Sequence, residues 1–246
     1  MSKVLSALYL FYAALIFIVW MFISLPFVWL ATGIFHPPLG KRIGLTFLRI
    51  WAWAFSLLSF FWIYTRHKNL INRKQPHIYI GNHGSYLDAV AVCISIPQPF
   101  SALGKAEMAK VPVFGWIYKR MVVMIDRSSR ESREQSVQVL KEEIRRGQSI
   151  LLFPEGTMNK GPEALADFYD GAFRIAIETQ TPIQPFVMLN NRELLPRTNP
   201  LSARPGILTT VFLPAVSMEG YHLTDLDDLK ATVFRQMEKA LTDPLS

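Results

Sequence analysis

From Val4 to Phe35 the chain has no charged residue. A run of about 20 apolar residues already spans a bilayer as a helix, so this segment has two options: a membrane, or the buried centre of a helical core. A cleaved leader is the less favoured expectation, because the apolar stretch is long for one and no clear small-residue cleavage site follows it. Pro26 is expected to kink or divide the run. His36 to Arg42 then forms a turn with two basic residues, and a second apolar stretch runs from Ile43 to Thr65, interrupted only by Arg49. This stretch carries Trp51, Trp53, Phe55, Phe60, Phe61 and Trp62, and aromatics with flanking cations favour the headgroup boundary. Residues 1–68 are therefore read as a membrane-embedded two-helix hairpin. Arg49 makes the second helix a poor simple span, because a charge at mid-bilayer costs about 2.5–3.5 kcal/mol on insertion scales. A re-entrant hairpin, or one lying in a single leaflet, meets that objection. The competing reading is two buried core helices.

The charge is placed accordingly. The net charge is +7, yet the first acidic residue is Asp88, and eight basic residues precede it. The excess positive charge thus belongs to the most apolar third, which favours an anionic membrane surface as partner over nucleic acid. The single cysteine, Cys93, cannot form an intramolecular disulfide and falls in an apolar helix.

After a polar connector the pattern alternates. Short apolar runs near 77–81, 100–103, 122–125, 149–153, 183–189 and 207–213 read as strands. Segments near 89–94, 132–146, 172–179 and 224–241 read as helices, and Gly147 stops the second of them. The fold class is α/β, a mixed central sheet flanked by helices over residues 69–246, preceded by the hairpin.

Two loops carry chemistry. Gly81-Asn82-His83-Gly84-Ser85-Tyr86-Leu87-Asp88 follows a strand and opens a helix. A histidine with an aspartate five residues on can form a general base and the carboxylate that orients it. Ser85-x-x-Asp88 also fits a capping box, in which the histidine is incidental. The second loop, Phe153-Pro154-Glu155-Gly156-Thr157, ends a buried strand, where α/β folds place ligands. Glu155 can bind substrate hydroxyls or organise the loop, and Gly156 lets backbone N–H groups approach an anion.

Together, His83-x4-Asp88, the Lys105–Arg127 segment and Phe153–Thr157 resemble the glycerolipid acyltransferase family, in its bacterial 1-acylglycerol-3-phosphate acyltransferase branch, over about residues 75–220. Lys105-Ala106-Glu107-Met108 with Pro112, Gly115 and Ile125-Asp126-Arg127 looks like the family's second motif, and Pro182-Ile183-Gln184-Pro185 like its fourth. The resemblance implies that His83 takes a proton from a lysolipid hydroxyl while Asp88 orients the ring. The oxygen then attacks the thioester of acyl carrier protein or coenzyme A, without a covalent acyl-enzyme. Arg127, helped by Lys105, would bind the acceptor phosphate, and Glu155, Gly156 and Thr157 would shape the acceptor site. It implies no metal and no bound organic cofactor, and places the enzyme at the cell membrane with its catalytic domain on the cytoplasmic side. Ser85 and Cys93 are then a cap and a core residue.

Two positions depart from the family pattern. Met158 stands where an arginine usually follows the threonine, and Phe168-Tyr169-Asp170-Gly171 lacks the usual basic residue. Either Lys105, Arg127 and Lys160 suffice, or the acceptor is a lyso amino-acid lipid. A metal-dependent hydrolase would need ligand spacing that His36, His67, His77 and His222 do not show. A serine hydrolase would need a G-x-S-x-G elbow that is absent. A non-catalytic membrane scaffold would have no use for His83, Asp88 and Glu155 together.

Overall fold

The computed structural model describes residues 3–243. Helices α1 (Lys3–Ile34) and α2 (Leu39–Leu58) lead into strand β1 (Phe61–Arg66) and then β2 (Ile78–Gly81). Next come α3 (Asp88–Ser95), β3 (Phe100–Lys105), α4 (Phe114–Met121), β4 (Val122–Ile125), α5 (Arg130–Arg145) and β5 (Ser149–Leu152). The chain closes with α6 (Gly171–Thr179), β6 (Ile183–Leu189), α7 (Asn191–Leu194), β7 (Gly206–Phe212) and α8 (Leu226–Thr242).

The strands form one seven-stranded sheet in the order β1-β7-β6-β2-β5-β3-β4. All neighbours are parallel except β6 and β7. The central strands β2 and β5 are buried along their whole length, in keeping with their largely apolar sequences in a sheet covered on both faces. One face packs against α1 to α4 through Tyr79, Leu87, Val90 and Phe186. The other packs against α5, α6 and α8 through Ile78, Ile80, Leu140, Phe173 and Val233.

The N-terminal region differs from the expected hairpin in three ways. Helix α1 runs unbroken through Pro26. The second apolar stretch is not one helix: α2 stops at Leu58, and Phe61–Arg66 pairs in parallel with β7, Phe61 opposite Gly206. Alternation explains the strand, with Phe61 and Ile63 buried and Trp62 and Tyr64 exposed. Among the described residues only α1 is long and apolar enough to cross a membrane.

Packing bridges the expected boundary at residue 68. Leu45, Leu48, Trp51, Ala52 and Phe55 of α2 share one core with α3 and the sheet. Arg49, anomalous in a membrane span, donates to the carbonyls of Ile96, Pro97 and Gln98 at 2.8–3.0 Å. It thereby satisfies carbonyls at the end of α3, where a cation is favoured. Lys41 pairs with buried Glu143 at 2.8 Å, and Ser101 Oγ donates to the same carboxylate oxygen. Burial alone would raise the Glu143 carboxyl, but the bonds from Lys41 and Ser101 hold it below the usual carboxylate range. Helix α2 is thus pinned by polar bonds to the α/β domain. The close crossing of α1 and α2 needs Gly40, whose Cβ would come within 2.6 Å of the Phe35 carbonyl oxygen.

Candidate active site

Parallel strands put their C-terminal ends on one edge of the sheet. That edge carries the histidine loop after β2, the Phe153–Thr157 loop after β5, Lys105 at the end of β3, Arg127 beyond β4 and α7 beyond β6. Loops far apart in sequence converge there because parallel register leaves no other place for them.

His83 Nδ1 lies 2.8 Å from Asp88 Oδ2. The same oxygen accepts the Gly84 and Ser85 N–H groups at 2.9 and 3.0 Å. Asp88 therefore closes the turn as a capping acid does and also holds the imidazole, so the two readings of this stretch coexist in one carboxylate. The Ser85 hydroxyl does not cap α3 but accepts the Leu87 N–H and donates to the Leu195 carbonyl at 2.9 Å. Asp88 is fully buried, whereas the His83 side chain is 20% exposed. The imidazole stacks on Phe153, with ring centroids 4.3 Å apart and planes 14° from parallel. Its Nε2 has no protein partner among the described residues. The arrangement is a base with one nitrogen fixed and the other presented to solvent.

Glu155 is buried and uses both oxygens on the backbone, Oε1 accepting the His83 N–H at 2.7 Å and Oε2 the Ala166 N–H at 2.9 Å. Of the two roles open to it, these bonds are those of loop organisation. Burial pushes its carboxyl up, and the two N–H donors oppose the shift. The Asn159 N–H donates to the His83 carbonyl at 2.7 Å, a further tie between the two loops.

Gly156 has φ +71°, and a Cβ there would come 2.7 Å from the Tyr169 ring and 3.3 Å from Arg127 Nη1. Only glycine lets the arginine and the tyrosine close on the loop. Arg127 is exposed, and the neighbouring Asp126 is occupied with Ser128, whose hydroxyl and N–H hold that carboxyl below its usual range. Lys105 is half-buried at the end of β3, opposite Ile125 in register. Hydrogen bonds therefore join His83, Asp88 and Glu155, and Gly156, next to Glu155, leaves room for Arg127 close to this cluster. Lys105 and exposed Thr157 share the edge but make no hydrogen bond to these five among the described residues. Cys93 is buried in α3, where burial pushes its thiol up to about 12, so it remains a core residue.

Residues that the motifs do not reveal complete the site. Asn191 Nδ2 donates to Asp88 Oδ1 at 2.7 Å across 103 positions of sequence. Arg192 donates to the carbonyls of Asn159, Gly161 and Glu163, and its side chain lies against Gly84, where a Cβ would come 2.5 Å from Cγ. Asp170, the acid in place of an expected base, pairs with Lys230 of α8 at 2.7 Å. No periodicity or short motif signals any of these three partnerships.

The sheet edge thus carries an aspartate-held histidine on one loop and, near Gly156 of the next, an exposed arginine. The family model described as Acyltransferase matches residues 63–189, and the chain belongs to that family. It is 28% identical over 207 residues to a 1-acyl-sn-glycerol-3-phosphate acyltransferase of Chlamydomonas reinhardtii, covering 80% of this chain and 61% of that protein. A chloroplastic relative of the same name from Arabidopsis thaliana is 28% identical, with 75% of this chain and 50% of the relative covered. The chain thus spans about half to three-fifths of the length of these two. The enzyme of that name from Haemophilus influenzae is also 28% identical, with 78% and 80% covered. The crystal structure of the 1-acyl-sn-glycerophosphate acyltransferase PlsC from Thermotoga maritima superposes with a TM-score of 0.82 over 99% of this chain and 98% of the other, at 19% identity. That likeness establishes the shared fold.

Proposed function

We propose that this chain transfers a fatty acyl group from an acyl thioester to the free hydroxyl of 1-acylglycerol-3-phosphate, giving phosphatidic acid. The observation that carries the reading is His83, held through Nδ1 by Asp88 with Nε2 unpartnered among the described residues, on the same sheet edge as Arg127. His83 Nε2 takes the hydroxyl proton as the oxygen attacks the thioester carbonyl. The tetrahedral oxyanion collapses, the C–S bond breaks, and the imidazolium returns the proton to the departing thiolate. The N–H groups of His83, Gly84, Ser85 and Gly156 are already bonded, whereas those of Thr157 and Met158 have no protein partner among the described residues. These two are our candidates for the oxyanion donors.

An apolar cavity of about 440 Å³ lies between α1 and residues 111–114, lined among others by Ala14, Met21, Phe55, Phe61 and Phe114. Leu195 lines it too, and the Leu195 carbonyl accepts the Ser85 hydroxyl, so its wall is bonded to the histidine loop. A volume in the range of about 300–1,000 Å³ suits a ligand, and an acyl chain is the apolar part of both substrates. Ala14→Trp is expected to shift activity toward shorter acyl groups, read from rates with thioesters of graded length.

Arg127 would grip the acceptor phosphate bidentately, with Lys105 and Lys160 as further cations. Asp170 is neutralised by Lys230, which removes one argument for an amino-acid lipid as acceptor.

Membrane attachment follows the same reading. Helix α1 exposes Leu8, Phe11, Leu15, Phe22, Trp29 and Leu30. It is also held to the rest of the chain near both ends, by Tyr9 and Tyr12 bonding the Ser59 and Leu58 carbonyls and by Arg120 stacking 4.6 Å over Trp29. A helix tied in this way enters one leaflet more readily than it crosses two. The same reading puts the catalytic domain on the cytoplasmic side, as the family resemblance implies. Single cysteines at Lys3 and Phe35 should both react with an impermeant maleimide from one side of sealed vesicles. Labelling from opposite sides would defeat the single-leaflet arrangement.

The activity test offers a labelled acyl thioester with lysophosphatidate or with a lyso amino-acid lipid, and uses His83→Ala as control. Acylation of lysophosphatidate that vanishes in the variant is the expected result. Turnover of the amino-acid lipid alone would overturn the assignment of the acceptor.

A further inference from the structure

The geometry points to Asn191 as a third member of the His83–Asp88 unit: a positioning residue that fixes the Asp88 carboxylate through its second oxygen. The inference rests on the acyl-transfer reading of the same site.

Asp88 is fully buried, and its two oxygens are treated differently. Oδ2 accepts three hydrogen bonds, from His83 Nδ1 and the Gly84 and Ser85 N–H groups. Oδ1 accepts one, from Asn191 Nδ2 at 2.7 Å. A carboxylate held on one oxygen alone can tilt about its Cβ–Cγ bond, because that torsion is broad. A donor on the other oxygen fixes the plane, and with it the direction in which Oδ2 meets the imidazole.

Asn191 is itself constrained. It is 2% exposed, and its Oδ1 accepts the Arg192 N–H at 2.8 Å. With the oxygen so occupied, the amide must turn its nitrogen toward Asp88. The backbone that carries it is fixed as well. Asn82, next to His83, bonds both the N–H and the carbonyl of Met188, at 2.7 and 3.1 Å, and so locks the end of β6 to the end of β2. Asn190 then takes a left-handed turn, φ 66°, which sends Asn191 back over the histidine loop. Arg192 ties the next position to residues 159–163. The neighbouring titratable and charged groups are His83, Glu155 and Arg192.

A merely structural asparagine would be needed only to accept the Arg192 N–H, which an aspartate does equally well. Asn191→Asp therefore separates the roles, since it keeps shape and acceptor but replaces the donor facing Asp88. With the full chain in lipid nanodiscs, N191D is expected to lower kcat about 10–100-fold, the scale seen for lost outer partners of metal-bound histidines, and to leave KM for both substrates within about two-fold. The ratio of N191D to wild-type kcat should rise as pH falls, because the introduced carboxyl donates once protonated and two ionised carboxylates in contact repel. A second readout does not depend on turnover. In protein labelled with 15N-histidine, the His83 Nδ1–H resonance, assigned by its loss in His83→Ala, should be broadened or lost in N191D and in Asn191→Ala. N191A carries both readouts if N191D does not fold. Wild-type kcat with an unmoved resonance, or a loss confined to KM or Tm, would overturn the proposal. If the wild-type protein acylates nothing, the acyl-transfer reading fails, and the resonance alone still decides whether Asn191 holds the dyad.

Discussion

The two halves of the catalytic edge are built differently. Around β2, β5 and β6 nearly every polar atom is committed: both Asp88 oxygens, both Glu155 oxygens, the Asn82 amide and the Asn191 amide all have named partners at 2.7–3.1 Å. Around β3 and β4, Arg127 and Lys105 carry charge with few bonds to hold them. In the proposed reaction the histidine must meet one proton along one line, and buried networks give that precision. Under the same reading, a phosphate can be met by cations that arrive with some freedom.

Substitutions at the ordered end should abolish chemistry, and those at the cationic end should weaken binding. The largest effect is expected at Asp88: Asp88→Asn should lower kcat by about 10³–10⁴-fold, through loss of the tautomer and of the imidazolium's partner. It should also reduce stability by about 1–3 kcal/mol, because the new amide cannot accept as the carboxylate does. Steady-state rates and thermal unfolding check the two parts. A kcat near wild type would return the stretch to a simple turn.

Arg127→Ala is expected to raise KM for lysophosphatidate about 10–100-fold, the worth of a charge-assisted bond of about 1.5–3 kcal/mol. Its Tm should not change, because the side chain is exposed. A fall in kcat at constant KM would mean that both halves take part in the chemical step, and the contrast would be lost.

Away from the edge, Lys41→Ala should lower stability by about 1–3 kcal/mol, since it leaves the buried Glu143 carboxylate with Ser101 as its remaining partner. The pH dependence has a definite sign. Glu143 titrates below its unfolded value of about 4.3, so the stability it contributes is present above that pH and is lost as pH falls through the folded value. Acid unfolding of wild type and Lys41→Ala should therefore converge at low pH, and parallel curves would count against the pair. The smallest effect belongs to Lys230→Ala. This partly exposed pair with Asp170 should be worth no more than about 1 kcal/mol, and activity should stay within about two-fold of wild type. A large gain in KM would instead mean that Asp170, once freed, repels the acceptor phosphate.

Much of the fold is legible in order along the chain. The central strands announce themselves as short apolar runs, and His83, Asp88 and Phe153–Thr157 sit at their ends because loops after parallel strands must lie on one edge. The N-terminal third is legible only in part, because hydrophobicity cannot tell a surface that faces lipid from one that faces a protein core. The stretch from Ile43 to Thr65 is interrupted by a single charge, yet it holds a helix pinned by that Arg49 and an edge strand paired with residues 145 positions away, Phe61 with Gly206. Arg49 was the available signal: a cation that is costly in lipid is ordinary at the end of a neighbouring helix.

The sequence by itself determined the alternating strands and helices and the histidine with its carboxylate, because each depends on residues close together in the chain. Tertiary structure alone decided that Asn191 reaches Asp88, that Arg192 straps the loops together, and that Asp170 turns to Lys230. These pairings come from strand order and register, which bring β6 beside β2 and α8 beside α6. No local pattern encodes a neighbour whose position is fixed by the packing of the whole sheet.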